Sequence, residues 1–420
     1  VLGAVAAKRI DVLWSVMFVT ISVIYRPIEQ LLSRTLAERR ARREGDQSLA
    51  VPIAIQAGFA LLFAAAALAL RHVLTDGLFN GSAALYWVLL AGTLAYAASY
   101  FARGWLAGHE RFALFGGLVL MESLSRLCFA LAVAIGLASG QSFVALGIAA
   151  APFVSLVVVP LAFARRGGER RGPREVEELD AALAGPGTEG VEGAVSSREL
   201  TLARGSRFAF AVSGVMLAEQ TLLNAAVLTV DATSPNRALA GIVFNVLLIA
   251  RAPLQLFQAI QTSLLPHLTG LEATAGRQSF ARAIRITVLA IGAFALAVAL
   301  ALLAIGPLAL KEVLFGQPYD YDRFGLALIG LGMGAHLISG ALNQAALARD
   351  QARTAALCWL AAAGLFLAWM VAPVMGDQLL RTEVGYFGAA ALLAALLALV
   401  YRRGSRRGAQ SAPTASTIAR

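Results

Sequence analysis

Eleven stretches of this 420-residue chain run for roughly twenty residues with hardly a charge in them, and that constrains the fold more than any motif does. A helix needs about 20 mostly apolar residues to cross a bilayer, and in lipid only helices and closed barrels satisfy their own backbone. The stretches fall at about 10–34, 49–72, 83–107, 113–138, 143–164, 206–230, 238–262, 282–306, 324–348, 353–374 and 384–401, here A to K. With 59% hydrophobic and 14% charged residues, against about 45–50% and 25% in a soluble domain, no large soluble domain fits beside them. The fold class expected is therefore an all-α polytopic membrane protein. Cys128 and Cys358 both lie inside apolar runs, which leaves no disulfide framework and no metal-ligand spacing.

A net charge of +10 would suit nucleic acid, but its distribution assigns it elsewhere. Of the 35 Lys and Arg residues, 25 fall in or beside connections A–B, C–D, E–F, G–H and I–J and the C-terminal tail. Because basic residues are retained on the cytoplasmic side, these segments are expected to be cytoplasmic, with the C-terminus inside and no nucleic-acid partner. Arg outnumbers Lys 33 to 2, which points to a GC-rich bacterial genome and a multi-pass protein of the cell (inner) membrane. The parity leaves the start at Val1 outside, which predicts a further span ahead of A and twelve in all; a native eleven-span chain is the alternative.

With that extra span, a polar Gly-, Pro-, Glu- and Arg-rich segment divides the chain six and six. The expected organisation is a helical lobe over 1–164, a flexible cytoplasmic linker over 165–205, a second lobe over 206–401 and a disordered basic tail over 402–420. Stretches A and G, second in each half, both carry Arg, Pro and a polar residue in close order: Arg26-Pro27-Ile28-Glu29-Gln30 and Arg251-Ala252-Pro253-Leu254-Gln255. The exits of C and I also correspond, Arg103 to Arg111 against Asn343 to Arg353. Such weak internal matches are the mark of a duplicated transporter. Pro27 and Pro253 remove a backbone hydrogen bond inside a span, so both predict bends, either hinges or fixed kinks.

A charge near the bilayer centre costs about 2.5–3.5 kcal/mol on insertion scales, so it faces a protein interior or a wet cavity. The candidates are Arg26, Glu29, Glu122, Arg126, Glu219, Arg251 and His336, with Gln255 one turn beyond Arg251. Glu122 and Arg126 stand four apart, the spacing of a pair neutralised along one helix; Glu29 has the same option with Arg26. Arg251 and Glu219 have no opposite charge within a turn of their own helices. Arg is the residue of choice for phosphate, which makes Arg26, Arg126, Arg251 and Gln255 candidate substrate ligands. Glu219, Glu122, Glu29 and His336 are candidates for carrying a proton or Na+. No P-loop lysine, nucleophile elbow or HExxH motif occurs, so neither an ATPase nor another enzyme is expected, and no cofactor.

The runs Tyr25-Arg-Pro-Ile-Glu-Gln-Leu-Leu-Ser-Arg34, Arg103-Gly-Trp-Leu-Ala-Gly108 with Arg111-Phe112, Ala250-Arg-Ala-Pro-Leu-Gln-Leu-Phe-Gln258 and Ser263-Leu-Leu-Pro-His-Leu268 carry a resemblance. They resemble polysaccharide flippases of the multidrug/oligosaccharidyl-lipid/polysaccharide exporter superfamily. The resemblance implies two six-helix lobes around a central cavity and alternating access without ATP. It also implies a lipid-linked oligosaccharide substrate, on an undecaprenyl diphosphate carrier, moved from the cytoplasmic to the outer leaflet. Membrane lipids, and a polysaccharide polymerase or glycosyltransferases, are the partners that come with it. The cavity carboxylates depart from a purely anion-binding site. They keep a drug/cation antiporter of the same superfamily open, and a non-transporting scaffold is the remaining alternative. A major facilitator is disfavoured, because the loop 35–48 lacks its glycine-and-aspartate motif.

Overall fold

In the computed structural model, the residues described are 4–42, 49–138, 140–157, 160, 200–233, 237–274, 276–308, 321–372 and 374–410. They form α1 (Ala4–Ile24), α2 (Arg26–Ala41), α3 (Ala50–Ala69), α4 (Ala83–Gly108), α5 (Phe112–Ala134) and α6 (Gln141–Leu156) in the first half. The second half holds α7 (Leu202–Thr233), α8 (Arg237–Thr274), α9 (Gly276–Leu308), α10 (Arg323–Ala348), α11 (Ala352–Val371) and α12 (Gln378–Gln410). A π-helical turn, Val73–Leu78, follows α3, and there is no strand among the described residues. Most of the expected linker, 161–199, and the last residues, 411–420, lie outside the described residues; α12 continues past 402 to Gln410.

The protein is an all-helical polytopic membrane protein. Nine spans among the described residues are long and apolar enough to cross a membrane, with α1 and α2 counted as one from Arg9 to Ala41. The shorter α6 carries stretch E and α8 carries stretch G, so each of the eleven stretches has its helix. The burial pattern is that of a protein solvated by lipid. α9, the most apolar of the nine, is the least buried, whereas α10, the most buried, carries His336, Ser339, Asn343 and Gln344 inside. Leu61, Leu62, Leu120, Leu289 and Leu300 all point outward, which is tolerable only against hydrocarbon.

The helices pack in a repeated pattern. In the first half α4 lies against α2 and α6, and α5 against α6; in the second, α10 lies against α8 and α12, and α11 against α12. The halves meet mainly along α2, which packs on α7 and α8. The repeat is imperfect, since α9 lies along α10 whereas its counterpart α3 scarcely touches α4.

Between α1 and α2 the helix is interrupted at Tyr25. The Tyr25 N–H still reaches the Ile21 carbonyl at 2.9 Å, but Ile28 and Glu29 both turn back to the Tyr25 carbonyl, at 3.0 and 3.1 Å. Pro27 stands at the second position of α2, where its missing N–H is least costly. Around Pro253 there is no such division, and α8 runs as one helix through it and Pro266.

Candidate functional site

In the first half, α1, α2, α4 and α5 enclose a cavity of about 340 Å³. α1 contributes an apolar and aromatic wall that includes Trp14 and Phe18; α2 contributes Arg26 and Glu29. Tyr96, Tyr100 and Arg103 come from α4, and Phe115, Glu122, Ser123 and Arg126 from α5. Four of the charged residues expected at a site, Arg26, Glu29, Glu122 and Arg126, thus line one space although they come from two separate spans.

One glycine makes the arrangement possible. A Cβ on Gly104 would lie 2.8 Å from the Glu29 carbonyl oxygen and 2.9 Å from its Cα. Only a residue without a side chain lets α4 approach α2 backbone to backbone, and that approach brings Glu29 beside Arg103.

The pairing inside the cavity departs from the helical spacing. Glu122 is buried and does not pair with Arg126; it accepts hydrogen bonds from the Ser99 hydroxyl and from the Arg103 guanidinium, both on α4. Two donors in place on the neighbouring helix outcompete a partner on the same helix, whose side chain would have to fold back. Arg126 turns the other way. Its guanidinium donates to the Tyr96 hydroxyl at 2.9 Å and the Ser123 hydroxyl at 3.1 Å, and its carbon sits 4.8 Å from the centre of the Trp14 ring. Among the described residues every partner of Arg126 is neutral. Arg103 in turn lies 4.5 Å from the Tyr100 ring centre.

Three residues of this site escape a search for mid-span charges. Arg103 falls near the end of stretch C, where it reads as an interfacial charge, and Trp14 and Tyr96 read as core aromatics. The signal that finds Arg103 is its place in the Arg103 to Arg111 segment.

In the second half, Glu219 on α7 and His336 on α10 form a separate, buried cluster. Nε2 of His336 lies 4.0 Å from the Glu219 carboxylate, an ion pair only when the imidazole is protonated, and has no hydrogen-bond partner among the described residues. Nδ1 lies 3.4 Å from the Tyr386 hydroxyl, and the ring packs edge-on against Trp359 at 5.4 Å. Arg26 stands between the clusters electrostatically, its charge acting on both Glu29 and Glu219. Arg251 and Gln255 lie on α8, but their side chains are outside the described residues. Among the described residues no group of three or more His, Cys, Asp or Glu side chains is placed to hold a metal ion.

No family model matches the chain, and neither does any curated protein sequence. Its backbone does match solved structures. A MATE in the bent conformation superposes with a TM-score of 0.73 at 13% identity, covering 97% of this chain and 90% of that one. The fold is that of the MATE transporters. The Vibrio cholerae MATE transporter VcmN in its bent form superposes with a TM-score of 0.70 at 15% identity, over 96% of this chain and 89% of that one. An outward-facing multidrug resistance MATE family transporter of the MOP superfamily gives 0.68 at 16% identity, over 98% and 90%. At these identities the likeness is one of fold, and function rests on this chain's own residues.

Proposed function

We propose that the protein is a transporter that works by alternating access between its two halves, and that it moves a lipid-linked oligosaccharide across the membrane. The lipid is of the undecaprenyl diphosphate type, and the leaflets are the cytoplasmic and the outer one of a bacterial inner membrane. A single observation carries this reading: Arg126 faces the cavity with only neutral partners among the described residues. Glu122 is already held by Arg103, and the cavity as a whole has three guanidinium groups against two carboxylates. A diphosphate supplies the missing negative charge in the form Arg binds best. The fold adds support, because the structures it matches are transporters.

In this mechanism the sugar diphosphate enters between the halves and Arg126 and Arg26 bind it, and Arg251 and Gln255 are proposed as further ligands. The prenyl tail stays in lipid. Glu219 and His336 form the site for a coupling proton or Na+, linked by charge through Arg26. Glycosyltransferases and a polymerase act before and after the flip.

The test is flux of a fluorescent undecaprenyl-diphosphate sugar in proteoliposomes containing purified protein. Wild-type protein is expected to move it and Arg126→Gln to fail; equal flux with the two proteins refutes the reading. The five aromatic side chains in the cavity wall favour a second reading, export of a lipophilic organic cation held by Glu29. That reading expects ion-driven efflux of such a cation and no lipid flux.

A further inference from the structure

At the basic end of the bundle, the fourth helix of each half leads into a turn with an acidic residue in the left-handed region. Glu110, between α4 and α5, has φ 56°, and Asp350, between α10 and α11, has φ 61°. The two occupy equivalent places in the repeated segments from Arg103 and from Asn343. Each is met by an arginine of α2. Arg40 lies 3.5 Å from the Glu110 carboxylate and donates to the His109 carbonyl at 2.8 Å, while Arg34 donates to Asp350 Oδ1 at 3.0 Å. The lower part of α2 is thus fastened to its own half by Arg40 and to the opposite half by Arg34.

The two fastenings differ in kind. Arg40 and Glu110 are both more than half exposed, the sort of pair that contributes little. Asp350 has both oxygens engaged, because Arg204 at the start of α7 donates to Oδ2 at 2.8 Å. The Arg34 side chain is only 10% exposed and its guanidinium carbon sits 5.2 Å from the Phe208 ring centre. Burial works against the charge on Asp350, but the two guanidinium groups overcome it and hold the carboxyl below its ordinary range.

We infer that Asp350 is the keystone of an interlock between the halves: Arg34 and Arg204 grip it when the basic end is shut, and release of Arg34 is the step that lets this end open. The inference rests on the alternating-access reading above. It is tested with purified protein in detergent in which Cys128 and Cys358 are replaced by serine and Thr35, which lines the space around the interlock, is replaced by cysteine. The rate of maleimide modification then reports opening. Asp350→Asn is the informative variant, since Asn tolerates the left-handed backbone and removes the charge together with one of the two acceptor oxygens. It is expected to speed labelling about tenfold, the scale set by loss of one charge-assisted hydrogen bond. Glu110→Gln, the same kind of change at the equivalent turn, is expected to leave labelling near the parent rate.

An unchanged rate in Asp350→Asn, or an equal rise in Glu110→Gln, overturns the interlock. If Asp350→Asn does not express, Arg34→Gln breaks the contact between the halves from the α2 side and is read against the same expectation. Flux measured in parallel separates the two ideas. Fast labelling in Asp350→Asn without wild-type flux of either substrate class keeps the interlock and removes the transport reading; flux with unchanged labelling does the opposite.

Discussion

Arg103 on α4 donates to the carboxylate of Glu122 on α5, and that bond takes Glu122 away from Arg126, its neighbour one turn along the same helix. The two arginines therefore have different tasks. Arg103 is part of the framework, and Arg126 is left facing the cavity.

Glu122→Gln removes the charge that compensates Arg103, which is only 12% exposed. Breaking a buried pair from one side costs about 3 kcal/mol, so the variant is expected to unfold at a clearly lower temperature in detergent. Arg126→Gln, whose hydrogen-bond partners are neutral hydroxyls, should melt close to wild type. Equal melting temperatures for the three proteins would mean that Arg103 and Glu122 do not act as a pair.

Trp14→Leu keeps an apolar wall but removes the ring beneath Arg126. A cation over an aromatic face is worth about 0.5–2 kcal/mol. If that contact holds the guanidinium in position, the affinity for an undecaprenyl-diphosphate sugar, measured by isothermal calorimetry, falls about 2- to 30-fold. An affinity equal to wild type would show that Arg126 is positioned by Tyr96 and Ser123 alone.

Gly104→Ala places a methyl group where the backbone of Glu29 already is. Backbone cannot step aside as a side chain can, so α2 and α4 separate, at a cost of about 1–3 kcal/mol. Gly58→Ala on α3, which meets nothing within 4 Å, serves as the control, and thermal unfolding of the two variants side by side tests the contrast.

The interlock should ignore mild acid. Asp350 has a folded-state carboxyl held below its ordinary value of 3.8 by Arg34 and Arg204, so its contribution is complete above that value and disappears only as pH falls through the depressed one. Maleimide labelling at Thr35→Cys, corrected for the reagent's own pH dependence, is expected to be flat from about pH 7.5 down to about pH 5. A rise in labelling within that window would assign the latch to another group.

The spans were legible because lipid imposes a one-dimensional signal, an apolar run of sufficient length. Charges inside those runs were equally visible, and Arg26, Glu29, Glu122 and Arg126 do line one cavity. What the chain order hides is how helices cross. Spacing along α5 suggests a Glu122–Arg126 pair, whereas α4, packed alongside, supplies Arg103 and Ser99 instead. Trp14 and Tyr96 escape notice for the same reason, since an aromatic in a span looks like core until an arginine from another helix rests on it. The division at Tyr25 falls two residues ahead of the proline that signals it, because Pro27 has no N–H to offer the Val23 carbonyl and its ring crowds that carbonyl one turn back.

That division gives α1 and α2 the behaviour of a jointed rod. A continuous helix passes twist along its length, and the looser turn at Tyr25, where Ile28 and Glu29 share one carbonyl, weakens that transmission. On the interlock reading, the lower segment swings free of Asp350 without turning the Trp14 and Phe18 wall above the joint. Filling the cavity and opening the far end are then, on that same reading, separate events. Arg26, the first residue of α2, stands at that joint, where its charge acts on both Glu29 and Glu219.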